Sequence, residues 1–387
     1  FGEDVGPKGG VHAVTLGLQD KYGVERVFDT SLNEEGIVGR AVGMALAGLM
    51  PVPEIQFRKY AEPATEQIND CGTMRWRTAN RFAAPMVLRV PGGFFKCGDP
   101  WHSMTNEVEF VHNPGWKVAV PSNAEDAVGL LRAGLRGHDP VLFFEHRAML
   151  DDAWARRPWP GDAYVLPFGR AKKTREGGRI TIVTWGAMVP RCEVAAEGIE
   201  ADVIDLRTLM PWDREAVLES VRRTRRCLIV HEDLRTGGFG AEIAAVVADE
   251  AFLDLDAPVV VTPAKGRVGA TDTGDLPDLH PHDTDAIDPA GTKYVLWSKT
   301  SKGTALKTAI AAARTSDNRR VPAGPSGAPA HPEHPACSGS PTAGTSSINQ
   351  ASKSWSICGT KPEPSPHRPS SARPAFISAL RARCTLA

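Results

Sequence analysis

Three familiar signatures are missing from this sequence of 387 residues. No GxGxxG motif follows a strand candidate, no GxxxxGK motif ending in Ser or Thr occurs, and no GxSxG elbow occurs. The common nucleotide cradles and the hydrolase nucleophile elbow are therefore excluded. The seven cysteines are scattered without a CxxC pair, and no histidine cluster has metal-ligand spacing. We expect reduced thiols and no metal site built by this chain.

Long apolar runs and an excess of one charge are absent as well. No run approaches the roughly 20 apolar residues of a membrane-spanning helix, and no charged-then-apolar leader opens the chain. Lys and Arg number 45 against 46 Asp and Glu, so no nucleic-acid or membrane-surface partner is indicated. We expect a bacterial cytoplasmic protein. Its start at Phe1, without Met and within an ongoing pattern, indicates a missing N-terminal piece.

Strand-like and helix-like segments alternate over residues 1–147, which we assign to a first domain. The strand candidates are residues 27–30, 52–57, 86–90, 116–121 and 141–145. Between the last two, residues 122–135 have Ser122 or Asn123 as a cap, acids in the first turn and apolar residues at helical spacing. The alternation predicts an α/β fold with a mainly parallel, helix-covered sheet.

Residues 148–168 interrupt this rhythm with tryptophans, prolines and a glycine, and we interpret them as an interdomain linker. A second, smaller α/β domain is predicted over residues 169–262. Its strand candidates are 180–185, 201–206, 227–231 and 258–262, with helix candidates near 189–199, 213–224 and 239–253. Over residues 263–387 the alternation stops and Pro, Ser, Gly and Ala become frequent, which predicts a disordered tail with one short helix candidate within 302–315.

The stretch Asp29-Thr-Ser-Leu-Asn-Glu-Glu-Gly-Ile37 places two acids where a strand candidate passes into a helix with many glycines and alanines. Gly costs a helix about 1 kcal/mol relative to Ala, so these small residues indicate close approach by another backbone or a ligand. An acid there would lie in the crevice where open α/β sheets bind ligands. On the local pattern alone, the simpler interpretation is favoured, in which Glu34 and Glu35 only stabilise the helix dipole.

Polar residues also follow the strand candidate at 86–90. The glycine-rich stretch 91–100 predicts a mobile loop that delivers Trp101-His-Ser103. A histidine in such a place is suited to proton transfer or to binding an anionic intermediate. A purely structural histidine is the commoner case, so this pattern alone does not make His102 catalytic.

Taken together and in order across residues 2–259, the motifs resemble the β subunit of a thiamine-diphosphate-dependent 2-oxoacid dehydrogenase, the E1 component. The matching motifs are Gly2-Glu-Asp-Val-Gly6, Val27-Phe-Asp-Thr30, Leu32, Glu34, Gly36-Ile37, Pro53-Glu-Ile-Gln-Phe57, Tyr60, His102-Ser103, Pro114-Gly-Trp-Lys-Val118, Val203-Ile-Asp-Leu-Arg-Thr208, Pro211-Trp-Asp213, His231-Glu232 and Thr236-Gly-Gly-Phe239. The branched-chain and pyruvate types are the most similar. The resemblance implies a transketolase-like pyrimidine-binding domain followed by a transketolase-type C-terminal domain.

The resemblance assigns roles to five residues. Glu34 would hydrogen-bond N1′ of the cofactor's aminopyrimidine and so promote loss of the thiazolium C2 proton, which a desolvated pocket would favour. Leu32 and Gln56 match positions that line the pyrimidine, and Tyr60 matches an aromatic residue that stacks on it. His102 matches a loop histidine that handles substrate and passes the acyl group to the lipoyl arm of E2. Glu34 and His102 are thus the candidate catalytic residues.

The same resemblance implies partners. In this family a GDG…N motif on the α subunit holds the diphosphate and Mg2+, and this chain contains no GDG. We therefore expect this chain to bind the pyrimidine half of thiamine diphosphate, and an α subunit to hold Mg2+ in an α2β2 assembly. A lipoylated E2 acyltransferase would accept the acyl group. The second domain is expected to build subunit contacts and the E2 docking surface, without a catalytic residue.

Several alternatives stay open. Arg58-Lys59 stand beside Tyr60 where Ala-Asp is frequent in the family, which leaves the 2-oxo acid undecided, with a branched-chain acid favoured over pyruvate. A non-catalytic truncated or assembly-only subunit and a transketolase-like enzyme are the alternative functions. The motif match stops at about Val259 or Val260, and we hypothesise a frameshift or an erroneous gene model there. The alternative is a genuine disordered tail, and sequencing the locus would decide between them.

Overall fold

Two β-sheets organise the part of the chain that the computed structural model describes, which is residues 1–93 and 102–263. Except for Pro263, the predicted disordered tail lies outside this part, as does the helix candidate within 302–315. Residues 94–101, most of the loop predicted before His102, also lie outside it. The predicted α/β class is confirmed by the two sheets and the helices between their strands.

Three parallel strands form most of the first sheet, namely β1 (Val87–Gly92), β2 (Lys117–Ala119) and β3 (Val141–His146). A fourth strand, β7 (Thr208–Met210), comes from the second half of the chain and pairs antiparallel with β2, so the order is β1-β3-β2-β7. Every residue of β1 is buried, as expected for a parallel strand covered on both faces. This strand includes Pro91, which the sequence pattern assigns to the loop. Proline is tolerated there because β1 lies at the sheet edge.

Two predicted strands are wrong in extent. The segments 27–30 and 52–57 form no strand and instead make single parallel bridges, which join Gly2 with Asp29, Gly2 with Glu54, and Glu54 with Arg89. Pro53 lacks the N–H group that a continuous ladder would need in the second segment. These segments are therefore held to the first sheet at a few points.

Helices alternate with these strands. They are α1 (Leu18–Tyr22), α2 (Glu34–Leu46), α3 (Thr65–Arg77), α4 (Val108–Val111) and α5 (Ala124–Leu135), with a 3₁₀-helix at Arg58–Ala64. α2 begins after Asn33, whose side chain accepts a hydrogen bond from the backbone N–H of Gly36 at 2.8 Å. α5 begins in the same way, since Asn123 accepts from the backbone N–H of Asp126 at 3.0 Å. Of the two predicted cap candidates, Ser122 and Asn123, it is Asn123 that caps α5.

The second sheet has five strands and is mainly parallel. They are β4 (Lys172–Arg175), β5 (Ile180–Thr184), β6 (Ala201–Asp205), β8 (Cys227–His231) and β9 (Val260–Pro263), in the order β4-β6-β5-β8-β9. Only β4 runs antiparallel to its neighbour. The helices of this half are α6 (Met188–Ala195), α7 (Arg214–Thr224) and α8 (Phe239–Glu250). Both the parallel strands and these helices agree with the sequence pattern.

A common hydrophobic core joins the two sheets. Leu142 and Phe144 of β3 belong to the same buried cluster as Val183 of β5 and Ile204 of β6. The pairing of β7 with β2 adds a backbone connection between the two halves. The proposed linker, residues 148–168, contains short 3₁₀ turns but neither an α-helix nor a strand. The domain boundaries at its two ends stay predictions. Within the described residues, no helix is long and apolar enough to cross a membrane.

Candidate active site

The two acids at the start of α2 have different surroundings. Glu34 is half-buried, and its side chain makes no hydrogen bond or ion pair with any residue in the ranges 1–93 and 102–263. Glu35 is exposed and accepts a hydrogen bond from Nε2 of Gln67 on α3 at 3.1 Å. Glu35 is therefore bound to a neighbouring helix, whereas the Glu34 carboxyl has no partner among the described residues and can accept one from a ligand.

Glu3 lies near both Glu34 and Gln56. Oε2 of Glu3 is buried without a hydrogen-bond partner among the described residues. Burial raises the pKa of the Glu3 carboxyl, and the negative charges of Asp4 and Glu34 act in the same direction, although the nearby Gln56 amide opposes them. The sequence pattern includes Glu3 in a matching motif but assigns it no role. Its raised pKa and unpaired oxygen now make it part of the candidate site.

Tyr60 and His102, which are 42 residues apart in sequence, meet in the structure. The Tyr60 hydroxyl lies 3.1 Å from Nε2 of His102, and the two ring centroids lie 5.6 Å apart in an edge-to-face arrangement. Tyr60 belongs to the 3₁₀-helix Arg58–Ala64, which packs against α2, the helix that begins with Glu34. The hydrogen bond fixes the orientation of the imidazole relative to this helix.

Phe57 and Arg147 contact His102, His12 contacts both of them, and none of the three has a predicted role. The Phe57 ring centroid lies 4.2 Å from that of His102. The guanidinium carbon of Arg147 lies over the Phe57 ring at 5.1 Å, and its Nη1 donates a hydrogen bond to the backbone carbonyl of His102. Nε of Arg147 donates to Nε2 of His12 at 3.2 Å. One sequence signal was available for Arg147, because it directly follows a parallel strand, at the edge where α/β sheets bind ligands.

The basic pair beside Tyr60 does not add a free charge to the site. Arg58 is fully buried, pairs with Glu62 and Glu109, and lies over the Phe110 ring at 4.9 Å. Lys59 also pairs with Glu62, at 2.5 Å. The positive charges that the sequence places here are therefore met by carboxylates of the same chain.

Leu32 is the candidate residue that the rest of the chain covers least. Its side chain is 65% exposed and lies in the extended segment before α2. Its role in lining the pyrimidine stays a prediction. Within the described ranges, no group of three or more His, Cys, Asp or Glu side chains is arranged to hold a metal ion.

Comparisons with known proteins identify the two domains of this chain. The sequence model of the transketolase pyrimidine-binding domain matches residues 1–152, and that of the transketolase C-terminal domain matches residues 169–273. The second match extends beyond Val259 or Val260, where the resemblance by motifs stops. A solved structure titled split gene transketolase, inactive beta4 tetramer, covers 65% of this chain and 79% of its own, with 24% identity and a TM-score of 0.53, and it supports the fold alone.

Curated relatives are more similar. The β subunit of mitochondrial 2-oxoisovalerate dehydrogenase from Dictyostelium discoideum is 45% identical over 267 residues, which are 67% of this chain and 71% of the relative. The corresponding β subunit from Bacillus subtilis is 42% identical, over 67% of this chain and 80% of its own length. The β subunit of the pyruvate dehydrogenase E1 component from Acholeplasma laidlawii is also 42% identical, over 67% and 81%. This chain therefore belongs to the family of β subunits of the thiamine-diphosphate-dependent 2-oxoacid dehydrogenase E1 component, an oxidoreductase.

Proposed function

We propose that this chain, together with an α subunit, catalyses the oxidative decarboxylation of a 2-oxo acid and transfers the acyl group to the lipoyl group of E2. The observation that carries the proposal is the half-buried Glu34, which has no hydrogen-bond or ion-pair partner within residues 1–93 and 102–263 and lies near Glu3 with its unpaired oxygen. Glu3 in turn interacts with the Gln56 amide. A buried carboxyl oxygen without a partner calls for a hydrogen-bond donor. An aminopyrimidine carries both donors and acceptors, so these residues fit the pyrimidine half of thiamine diphosphate.

When bound, thiamine diphosphate supplies the nucleophilic carbon and the electron sink for decarboxylation. Glu34 would hold a proton at N1′ of the aminopyrimidine, and Gln56 would orient the ring. Glu3, whose pKa is raised by burial, keeps a second proton-holding carboxyl next to Glu34. Leu32 would supply apolar contact, and we assign Tyr60 the ring stacking that the family resemblance implies.

His102 would hold or move a proton at the substrate and during acyl transfer. Its imidazole is oriented by the Tyr60 hydroxyl at 3.1 Å and packs against the Phe57 ring. A positioned histidine of this kind contributes about 10²–10⁴-fold to the rate. Glu34 and His102 thus stay the proposed catalytic residues.

An exposed apolar surface supports the proposed α partner. Large apolar side chains exposed to solvent are concentrated near the start of the chain and include Val11, Val14, Leu16, Leu18, Tyr22, Val24, Leu32, Leu46 and Leu49. Apolar surface of this kind is typical of a face covered by another subunit. We propose that the α subunit covers it, holds Mg2+ and the diphosphate, and completes an α2β2 assembly.

The substrate and the cellular setting are narrower proposals. Two of the relatives described above are named for 2-oxoisovalerate and one for pyruvate, so we favour a branched-chain 2-oxo acid, with pyruvate next. One methylene group is worth only about 1–3 kcal/mol of discrimination, so a related acid would be a slower substrate. The relatives are bacterial or mitochondrial, and we assign this chain to the bacterial cytoplasm.

The test is co-expression with an α chain that carries GDG…N, followed by an assay of 2-oxo acid decarboxylation with thiamine diphosphate and Mg2+. Glu34→Gln should lower kcat by roughly 10²–10⁴-fold because the amide cannot share a proton with N1′. Glu35→Gln is the matched control, since it changes the adjacent acid that Gln67 engages, and it should retain activity. An assembled complex that is inactive, and that Glu34→Gln leaves unchanged, would favour the assembly-only alternative. Activity with ketose phosphates instead would favour the transketolase-like one.

A further inference from the structure

The end of β3 connects the second sheet with the candidate active site. His146, the last residue of β3, pairs through Nε2 with Oε2 of Glu232 at 2.6 Å, and Glu232 directly follows β8. A Cβ added to Gly93 would lie 2.2 Å from the His146 ring, so only glycine fits beside this ring. The backbone that leads into Arg147 is therefore fixed by both halves of the chain.

Arg147 itself contacts three groups around the candidate site. Its guanidinium donates to the His102 carbonyl, donates to Nε2 of His12 at 3.2 Å, and lies over the Phe57 ring at 5.1 Å. Its side chain is nearly buried, and burial lowers its pKa. A planar group held at three directions has little freedom to turn, so it can set the position of the backbone it contacts.

The bond to His12 also defines the state of that histidine. A guanidinium has only donors, so Nε2 of His12 must accept and its proton must lie on Nδ1. Burial lowers the pKa of His12, and the Arg147 charge adds to this, while the carboxylates of Glu145 and Asp151 oppose it. His12 is thus a neutral acceptor that orients Arg147.

We infer that Arg147 is a positioning residue for His102, held in place by His12, by the face of Phe57 and by the fixed end of β3. The inference rests on the proposed function, in which His102 handles the substrate and the acyl group. It gives the second half of the chain an indirect part in catalysis, because Glu232 holds the residue before Arg147. A displacement of about 1 Å at a catalytic group can cost 10²-fold in rate, so such support is needed.

The test uses Arg147→Met in the assembled complex, with Arg132→Met as a matched control. Arg132 also donates to backbone carbonyls, those of Gly161 and Tyr164, and lies over an aromatic ring, that of Trp159, at 4.9 Å. It therefore loses the same kinds of contact without touching His102. We expect Arg147→Met to lower kcat by about 10–100-fold with the KM for thiamine diphosphate changed less than twofold. Arg132→Met should change neither.

Arg147→Lys and histidine NMR distinguish positioning from a loss of folding. Lysine keeps the charge and one contact, so we expect it to restore part of kcat. In the full chain with ¹⁵N-labelled histidine, His12 should show the Nδ1–H tautomer, and Arg147→Met should abolish this preference and raise the pKa of His12. Urea unfolding of Arg147→Met and Arg132→Met shows whether either variant has lost its fold.

The three possible failures have two different meanings. If Glu34→Gln inactivates the complex but Arg147→Met behaves like Arg132→Met, the positioning inference is overturned and the proposed function stands. If Arg147→Met loses kcat and Arg147→Lys recovers none of it, with His12 unchanged in the spectra, the inference is also overturned. A correctly assembled wild-type complex without 2-oxo acid activity overturns the proposed function and, with it, this role of Arg147.

Discussion

The first 60 residues and the central strands of the second sheet differ in how much apolar surface they bury and in how fully their backbones pair. In β5, β6 and β8 every residue is buried, and β5 pairs in parallel register with both β6 and β8. The first 60 residues contain two α-helices and only isolated bridges, and they leave apolar side chains such as Leu16 and Leu32 exposed. The second sheet thus buries its own apolar surface, whereas the first segment does not.

The second sheet supplies stability, whereas the first segment supplies the residues of the proposed site. The second sheet offers buried strands and a complete core, and it contributes no proposed catalytic residue. The first segment contains Glu3, Glu34 and Gln56, and the acids Glu3 and Glu34 keep groups that the fold has not paired. Under the proposed function this segment binds a cofactor and a second subunit, and a region with such a role leaves groups and surfaces uncovered until the complex forms.

The first segment is held to its sheet by charge where strands are lacking. Arg89 of β1 donates to Oε2 of Glu54 at 2.5 Å and to both carboxylate oxygens of Glu145 at 2.6 and 2.7 Å. All three side chains are largely buried. Arg89 therefore connects β1 with β3 and with the bridge residue that precedes Gln56.

Arg89→Met should have the largest effect on stability. It leaves two buried carboxylates without their cation, which costs about 3–5 kcal/mol when one partner of a buried pair is removed. Urea unfolding of the full chain measures this loss. Arg132→Met serves as the control for removing an arginine elsewhere in the same half. A loss no larger than that of the control would show that the first segment does not depend on this ion triad.

A pair of leucine substitutions tests the comparison directly. Leu228 in β8 is fully buried, so Leu228→Ala should destabilise the chain by about 2–5 kcal/mol through lost burial and a cavity. Leu32 is 65% exposed, so Leu32→Ala should change the stability of the isolated chain by less than about 0.5 kcal/mol. Denaturant midpoints of the two variants provide the measurement. Equal losses would mean that Leu32 packs against the chain in solution and that the two regions do not differ as described.

A buried acid, Glu107, lies where the two halves of the chain meet, and its burial disfavours its charged form. Glu107 precedes α4, accepts a hydrogen bond from the Trp185 indole at 3.4 Å and lies near Asp233. Burial, together with the negative charge of Asp233, raises the pKa of Glu107 to about 8. The carboxyl is therefore protonated in the folded chain at neutral pH.

Glu107→Gln should remove a loss of stability that wild type shows as pH rises. Above pH about 4.5 the unfolded chain has released this proton, whereas the folded chain keeps it up to about 8. Stability from this group therefore falls across that window, by at most about 1.4 kcal/mol per pH unit. Urea unfolding of both proteins between pH 5.5 and 8 should show the variant gaining relative to wild type. A constant difference across this range would contradict a protonated Glu107.

The sequence predicts the regular elements of the second sheet well, because β5, β6 and β8 are apolar runs bounded by polar turns. It misses β4 and β7 for a physical reason. β4 reads Lys-Lys-Thr-Arg and β7 has only three residues, so neither contains the apolar run that indicates a strand. Their pairing depends on neighbours that lie far away in sequence.

The candidate site shows the same limit. Glu34 and His102 are indicated by their place after strand candidates and by the family resemblance. The contact of Arg147 with His12 joins residues 135 apart in sequence, and no local pattern reports it. The difference between Glu34 and Glu35 likewise depends on Gln67, 32 residues further along the chain from Glu35.

Two helix caps test the comparison with effects smaller than those expected for Arg89→Met and Leu228→Ala. Asn33 and Asn123 each accept a hydrogen bond from a backbone N–H in the first turn of their helix, at 2.8 and 3.0 Å. Asn33 is exposed, whereas Asn123 is buried and its amide also donates to Ser122 and Asp126. Because water can replace the lost bond only at the exposed cap, Asn33→Ala should cost about 0.5–1 kcal/mol and Asn123→Ala about 2 kcal/mol. If urea unfolding ranks them in the opposite order, α2 depends on its cap more than α5 does, and the segment that contains Glu34 is held more tightly than its few backbone bridges indicate.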